Sequence, residues 1–268
     1  MDLLGMSVQQ LFERCGRRFS LKTVVMLADK MLVRLQSIHS RGYLHGDVKP
    51  DNFVTGYNDP KDIYAIDFGM SQLYWDDAKD AHIGFSSGHP FFGTVRYASG
   101  NVHLGYRRGR RDDLESLGYC LVYYLRGRLP WQGLAIQSKK EKAREAHRLK
   151  TAIPLSELCR DMPPEMTMYM QYCRRLEFHE LPDYDYLRAL FVAVSKRERF
   201  QYDYSFDWVQ HQDPPLVTPP PTHAGMVDDE EPRGGAQAEA PAQAEAPVPV
   251  PDSAPPAAGA GGDGTQVP

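Results

Sequence analysis

The sequence contains few cysteines and no long apolar run. Its 268 residues include four cysteines, and none of them forms a C-x-x-C pair. Isolated cysteines at helical positions indicate reduced, buried thiols in a cytoplasmic or nuclear protein. No stretch of eighteen apolar residues occurs, and the N-terminus lacks the charged and apolar segments of a secretion signal. We therefore expect a soluble protein that has no membrane partner and is not secreted.

Basic and large apolar residues are scarce near the C-terminus. Residues 214–268 hold 13 of the 21 prolines, eight of the 35 acidic residues and one of the 31 basic residues. The net charge of −4 thus divides into +3 for residues 1–213 and −7 for the tail. A segment of this composition buries too little apolar surface to offset its ordering entropy, so we expect disorder there. A charge of +3 is too small to indicate a nucleic-acid partner.

The residues that can carry chemistry are concentrated in two short segments. Residues 45–52 read His-Gly-Asp-Val-Lys-Pro-Asp-Asn, and Asp-Phe-Gly follows at 67–69, after the apolar run at 63–66. An aspartate five residues before an asparagine puts a proton acceptor and a metal-binding amide on one loop. A second aspartate at the end of a strand can meet that amide across a Mg²⁺ ion. The combined pattern is the one described for the catalytic and metal loops of protein kinases, and it predicts a phosphoryl-transfer centre.

The wider sequence resembles the casein kinase I family of Ser/Thr protein kinases. The resemblance runs from Met1 to about Trp208 and is carried by the segments Met1–Gly5, Lys49–Phe53, Gly93–Ser99, Arg110–Tyr119, Leu129–Leu134, Pro182–Tyr184 and Tyr202–Trp208. It implies a protein kinase-like α+β fold, here a mainly α-helical C-terminal lobe with short strands around the catalytic and metal loops. We place this lobe, beginning at the hinge between the two lobes, at residues 1–211 and the acidic tail, rich in Pro, Ala and Gly, at 212–268.

Three catalytic residues follow from the resemblance. Asp47 would orient the substrate hydroxyl or accept its proton, Lys49 would balance charge on the γ-phosphate, and Thr94 would bond to both. His45 is expected to pack beneath the metal loop and not to act as an acid or base. Asp51 is expected to be solvated or to brace the loop.

The resemblance also implies sites for Mg²⁺ and for ATP. Asn52 and Asp67 would bind Mg²⁺, since a neutral amide oxygen and a carboxylate suit a hard cation. Through the metal they would also bind ATP. At the hinge, the backbone at Asp2 and Leu4 would hydrogen-bond the adenine.

Parts of a complete kinase are missing from the sequence. Residues 1–44 contain neither a G-x-G-x-x-G phosphate loop nor a V-A-I-K-like lysine segment. The sequence is therefore either truncated or has lost this small lobe. We expect the chain as written to bind ATP·Mg²⁺ weakly, and to phosphorylate casein far more slowly than a version with a casein kinase I small lobe fused before Met1.

Gly46 is a further departure from most kinases. They carry an arginine there, which receives a phosphate when the activation segment is ordered by phosphorylation. Here that segment would run from Met70 to about Asn101. Vaccinia-related kinases, which are relatives of casein kinase I, share the glycine. We therefore do not expect switching by that route, and the glycine alone does not indicate inactivity.

Substrate preference is assigned to two cations. By resemblance, Arg96 and Lys142 form an anion site for a phosphate or acidic group on a protein substrate. The basic run at 139–144 otherwise has the composition of a solvated helix face. We expect acidic or phospho-primed protein substrates, and a monomer.

Capping residues and apolar spacing predict the helices. Ser7 and Gln10 form a capping box, Ser20 opens a longer helix, and Asp113 is expected to cap the apolar helix near it. By resemblance, Asp113 would also bind the backbone of the catalytic loop. The predicted spans are about 7–15, 20–40, 111–124, 163–176 and 184–196, with a further basic helix from 139.

Two alternatives to an active Ser/Thr kinase remain. The chain could be a non-catalytic, pseudokinase-like interaction protein that keeps only the substrate-docking lobe. A hydrolase that uses Asp47 and Asp67 with a metal is a poorer fit, because no water-activating His or Glu shares their loops.

Overall fold

The structure is a computed structural model in which residues 3–210 are described. This part is mainly α-helical with few, short strands, as the resemblance implied. The strands are β1 (Leu4–Ser7), β2 (Tyr43–Leu44), β3 (Phe53–Gly56), β4 (Ile63–Ala65), β5 (Gln72–Leu73), β6 (Trp75–Asp76) and β7 (Ala81–His82). The helices are α1 (Val8–Arg14), α2 (Leu21–His39), α3 (Gly100–His103), α4 (Arg110–Arg126), α5 (Lys139–Ala152), α6 (Leu155–Leu158), α7 (Pro164–Arg175), α8 (Tyr184–Arg197) and α9 (Asp207–Gln210). The predicted acidic tail at 212–268 and Asp2 lie outside the described residues.

Helix α2 forms the centre of the hydrophobic core. Ser20 caps it by accepting a hydrogen bond from the Thr23 N–H at 3.2 Å, as the sequence predicted. Its apolar positions keep helical spacing, and the helix packs against α4 and α8. Leu21 and Ile38 near its ends are half-buried, and the positions between them are completely buried: Val24, Leu27, Ala28, Met31, Leu32 and Leu35. Truncating a buried leucine such as Leu27 to alanine should cost about 2–5 kcal/mol of stability. The helix ends at His39, and Gly42 takes a positive φ of 80° just beyond it.

A small sheet and a strand pair flank the loops of interest. Strand β3 lies between β1 and β4 and is antiparallel to both. Strand β2 pairs with β5, with Tyr43 opposite Leu73. The catalytic loop leaves β2 and enters β3 through a short 3₁₀ helix at Pro50–Asn52, while Asp67 follows closely after β4. These strands therefore hold both loops from their ends.

The predicted cap of α4 is wrong by one residue. Asp112 accepts the Gly109 N–H at 2.7 Å and caps the helix, while the neighbouring Asp113 faces the catalytic loop. Adjacent residues on a helix point about 100° apart, so only one of the two carboxylates can reach back to the helix start. Burial raises the pKa of Asp112, although Ser99 and the Gly109 N–H counteract it.

The aromatic closing segment packs on the core. The rings of Phe206 and Trp208 stack at 4.4 Å, and Phe206 is completely buried. Asp207 accepts the Ser20 N–H at 2.7 Å, so the segment is fixed to the start of α2. Phe206 and Trp208 therefore belong to the same hydrophobic core as α2.

The cysteines agree with the sequence analysis at three of four positions. Cys120, Cys159 and Cys173 are buried and unpaired, whereas Cys15 is only half-buried. Burial raises the pKa of the Cys120 and Cys173 thiols well above their usual range, so both remain protonated and unreactive at neutral pH. Within residues 3–210, no helix is long and apolar enough to cross a membrane.

Candidate active site

Helix α4 fixes the backbone of the catalytic loop through one carboxylate. Asp113 accepts the N–H groups of His45 at 2.7 Å and Gly46 at 2.9 Å, and it also contacts His39 Nε2 at 2.9 Å. Burial alone would raise the pKa of Asp113, but the hydrogen bond and charge of His39, with the Gly46 N–H, hold this pKa below its usual value. The loop is thus tied to a rigid helix immediately before Asp47.

The predicted catalytic residues meet at the carboxylate of Asp47. Lys49 Nζ lies 2.6 Å from its Oδ2. The Asn52 amide Nδ2 donates to the same oxygen at 3.3 Å and to the Asp47 carbonyl at 2.9 Å. Thr94 donates to Oδ1 from its hydroxyl at 2.9 Å and from its N–H at 3.2 Å. Donors from three residues therefore orient both carboxylate oxygens. The Asp47 side chain is 9% exposed.

The two predicted metal ligands come from neighbouring elements. Asn52 immediately precedes β3, and its carbonyl accepts the Ile66 N–H at 2.9 Å, so Asp67 follows the residue bonded to Asn52. Asp67 has a left-handed φ of 62°, a conformation that few residues other than glycine adopt and that aspartate and asparagine tolerate best. Its side chain is exposed and accepts the Gly69 N–H at 3.3 Å.

These two residues fit a hard cation that also binds phosphate. The Asn52 Nδ2 donates to Asp47, so the amide oxygen is the atom of that side chain that could bind a cation. Among the described residues, no group of three or more His, Cys, Asp or Glu forms a metal site. A Mg²⁺ ion here would have to complete its shell with water and nucleotide oxygens, as Mg²⁺ does in kinase sites.

His45 supports the loops by packing, as the sequence analysis expected. It is completely buried, its ring lies 6.0 Å from Phe53 in a stacked arrangement, and its Nε2 lies 3.1 Å from the Ile66 carbonyl. Its ring also lies 5.4 Å from Phe68. Asp51 is exposed, in agreement with a structural or solvated acid.

The remaining predicted residues lie further away. Leu4 starts β1 opposite Gly56, at the other end of β3 from Asn52. Arg96 is half-buried, with its guanidinium 5.8 Å from the rings of Tyr97 and Tyr123. Lys142 is half-buried in the first part of α5. Arg96 and Lys142 each interact with other protein groups, and their joint anion site stays a prediction.

Sequence reasoning missed Lys150, which holds the activation segment. Its Nζ is buried and donates to the carbonyls of Val95 and Ala98, both at 2.7 Å. Burial lowers the pKa of this ammonium to about 7, while the charge of Glu115 acts in the opposite direction. One sequence signal could have indicated that Lys150 is buried: it lies four residues after the apolar Ala146, and residues four apart share one helix face.

A comparison with known families agrees with this geometry. The family model described as protein kinase domain matches residues 3–185. The chain belongs to the protein kinase family. Protein kinases in general use ATP with a divalent metal and act on protein substrates, and membership of the family implies the same general properties here. The match covers the catalytic loop, the metal loop and the activation segment.

Proposed function

We propose that this kinase is a Ser/Thr protein kinase of casein kinase I type, located in the cytoplasm or nucleus. It would transfer the γ-phosphoryl group of ATP to Ser or Thr hydroxyls. The main support for this proposal is the geometry at Asp47, where Lys49 contacts one carboxylate oxygen and Thr94 donates to the other. Lysine two residues after the aspartate is the Ser/Thr form of the catalytic loop, and the seven segments of similarity support the casein kinase I type.

Asp47 would act mainly by positioning. Because Thr94 and Asn52 fix the orientation of its carboxylate, a substrate hydroxyl that bonds to it is held in one direction. Well-oriented reactants can save several kcal/mol of the barrier, and phosphoryl transfer depends mostly on positioning and charge.

Lys49 and the metal would handle the phosphate charge. The Lys49 side chain is 23% exposed, so its ammonium can turn from Asp47 towards an incoming phosphate. Mg²⁺ bound by Asn52 and Asp67 would neutralise and align the phosphates. Asn52 Nδ2 would meanwhile keep its bond to the Asp47 carbonyl.

The first test replaces the proposed catalytic carboxylate. Asp47→Asn should lower phosphate transfer from radiolabelled ATP to casein by about 10²- to 10⁴-fold, the usual contribution of a positioned base. The matched control is Asp77→Asn, the same change at an exposed aspartate. Both variants should be measured with and without a casein kinase I small lobe fused before Met1. Equal rates for Asp47→Asn and the wild type would favour a non-catalytic interaction protein.

The second test concerns substrate preference. Arg96→Ala/Lys142→Ala should raise KM for a phospho-primed peptide by about tenfold and leave an unprimed peptide less affected, because a phosphate bears nearly two charges. The preference should weaken as added salt shortens the Debye length below about 8 Å. The control Lys140→Ala/Arg144→Ala removes the same charge from exposed positions of α5. An unchanged preference for primed peptide in the Arg96/Lys142 variant would disprove this anion site.

A further inference from the structure

Arg108 lies buried between the catalytic loop and the activation segment. Only 8% of the residue is exposed, and its Nη2 donates to the Phe92 carbonyl in the activation segment. Arg108 belongs to the stretch just before α4, whose Asp113 holds the catalytic loop. One short stretch of chain therefore fixes both functional segments. The sequence analysis assigned no role to this arginine.

Two glycines provide the space that the guanidinium occupies. A Cβ atom built on Gly46 would lie 3.0 Å from Arg108 Nη1, and one built on Gly93 would lie 3.1 Å from Nη2. The Cβ on Gly46 would also come within 2.2 Å of the Met70 carbonyl oxygen. An arginine side chain could not leave residue 46 without moving that backbone. In this fold a guanidinium beside the catalytic loop therefore has to come from a residue other than residue 46.

The surroundings favour a charged guanidinium. Burial lowers the pKa of Arg108, but the carboxylates of Asp113, Asp47 and Asp112 act in the opposite direction. A guanidinium keeps its proton in proteins, so the group remains charged. Its Nη1 is buried without a hydrogen-bond partner among the described residues. Nearby aspartates and the hydrogen bond from Nη2 to the Phe92 carbonyl therefore stabilise the charge.

We propose that Arg108 is a positioning residue that replaces the arginine missing at residue 46. It joins the catalytic loop to the activation segment through a backbone carbonyl, where other kinases use a phosphate. The activation segment is then ordered without phosphorylation, and Thr94 is presented to Asp47 in the unmodified protein. This proposal rests on the proposed phosphoryl transfer, in which Asp47 and Thr94 act together.

The test measures amide exchange of Thr94, whose N–H bonds to Asp47, in the full chain. Arg108→Met keeps most of the volume and removes the charge. It should speed this exchange by about tenfold or more, the value of a hydrogen bond to a charged group. Arg107→Met, the same change at the adjacent arginine, should leave the exchange unchanged. Added guanidinium at a non-denaturing concentration should restore slow exchange in Arg108→Ala.

Three outcomes of the exchange measurement would overturn the proposal. The first is slow Thr94 exchange in Arg108→Met, since packing alone would then suffice. The second is loss of slow exchange when the wild type is treated with phosphatase, since a phosphate would then order the segment. The third is failure of Arg108→Lys to retain more protection than Arg108→Met, which would remove the role of charge. If Arg108→Ala does not fold, the Arg108→Met and Arg108→Lys variants still test whether the charge slows Thr94 exchange.

A second, separate experiment measures the rate of phosphate transfer to casein. Arg108→Met should lower kcat about tenfold or more with little change in KM for ATP, because it disturbs Asp47 and not the nucleotide site. If the wild type transfers no more phosphate than Asp47→Asn, the proposed activity has failed, and Thr94 exchange alone decides on Arg108. If the wild type is active and Arg108→Met matches it in kcat, the positioning role is wrong.

Discussion

Asp67→Asn should nearly abolish Mg²⁺-dependent phosphate transfer, with a loss of about 10²- to 10⁴-fold. A bound metal contributes several kcal/mol to stabilising phosphoryl charge, and each 1.36 kcal/mol is tenfold in rate. The amide preserves the shape of the side chain and its ability to accept the Gly69 N–H, but it removes the negative charge that holds the cation. The left-handed φ of 62° should remain accessible, because asparagine tolerates it as well as aspartate does. The loss is therefore expected without a change in fold.

Asp51→Asn is the matched control for this experiment. Asp51 is an exposed acid on the same catalytic loop, so the variant removes the same charge close by. Mg²⁺ titrations of nucleotide binding should show weakened metal-dependent affinity for Asp67→Asn and near wild-type affinity for Asp51→Asn. A larger defect in Asp51→Asn than in Asp67→Asn would show that our assignment of the metal to Asp67 is wrong.

Elements with strong local signals could be predicted from the sequence. Helix α2 has a serine cap and a continuous apolar face, and its observed span of Leu21–His39 matches the prediction. The span of α8, Tyr184–Arg197, was also predicted to within one residue. In both, local hydrogen bonding and burial favour the same conformation, so no knowledge of distant residues was needed.

The meeting of the catalytic residues required more than local pattern. Residues 47, 49 and 52 share one loop, so their proximity follows from spacing. Thr94 is 47 residues from Asp47, and its expected position came from resemblance alone. The structure places its hydroxyl 2.9 Å from the carboxylate, but the roles of these residues in catalysis stay predictions.

Residues that act through tertiary contacts gave no local signal. Asp113 accepts the N–H of Gly46, 67 residues earlier in the chain, and that contact was expected from resemblance alone, whereas the local pattern indicated only a helix cap. Arg108 and Lys150 resemble solvated basic residues in sequence, yet they are 8% and 1% exposed. A buried cation is stable only beside the particular carbonyls and carboxylates that surround it. Those partners come from distant segments, and no local pattern identifies them.

Asp113→Asn should destabilise the kinase by about 3–5 kcal/mol, because each hydrogen bond to a buried carboxylate contributes about 1.5–3 kcal/mol. The carboxylate accepts two backbone N–H groups and contacts His39, and only 5% of the side chain is exposed. Asparagine offers one acceptor oxygen and an NH₂ group, so at least one buried donor would face another donor. Urea denaturation at neutral pH measures the loss. Asp203→Asn is the control, since its ion pair with Lys22 is 40% exposed on the aspartate side and should contribute at most about 1 kcal/mol.

The pH dependence of this loss provides a second check. The pKa of Asp113 is lowered in the folded state, so its stabilising effect is present above the unfolded pKa of about 3.9 and decreases as pH falls through the lower, folded value. The stability difference between wild type and Asp113→Asn should therefore be constant near neutral pH and shrink in acid. Faster amide exchange at His45 and Gly46 should accompany it, because their N–H groups lose the carboxylate. A loss below about 1 kcal/mol, with unchanged exchange at both residues, would show that α4 does not hold the catalytic loop through this side chain.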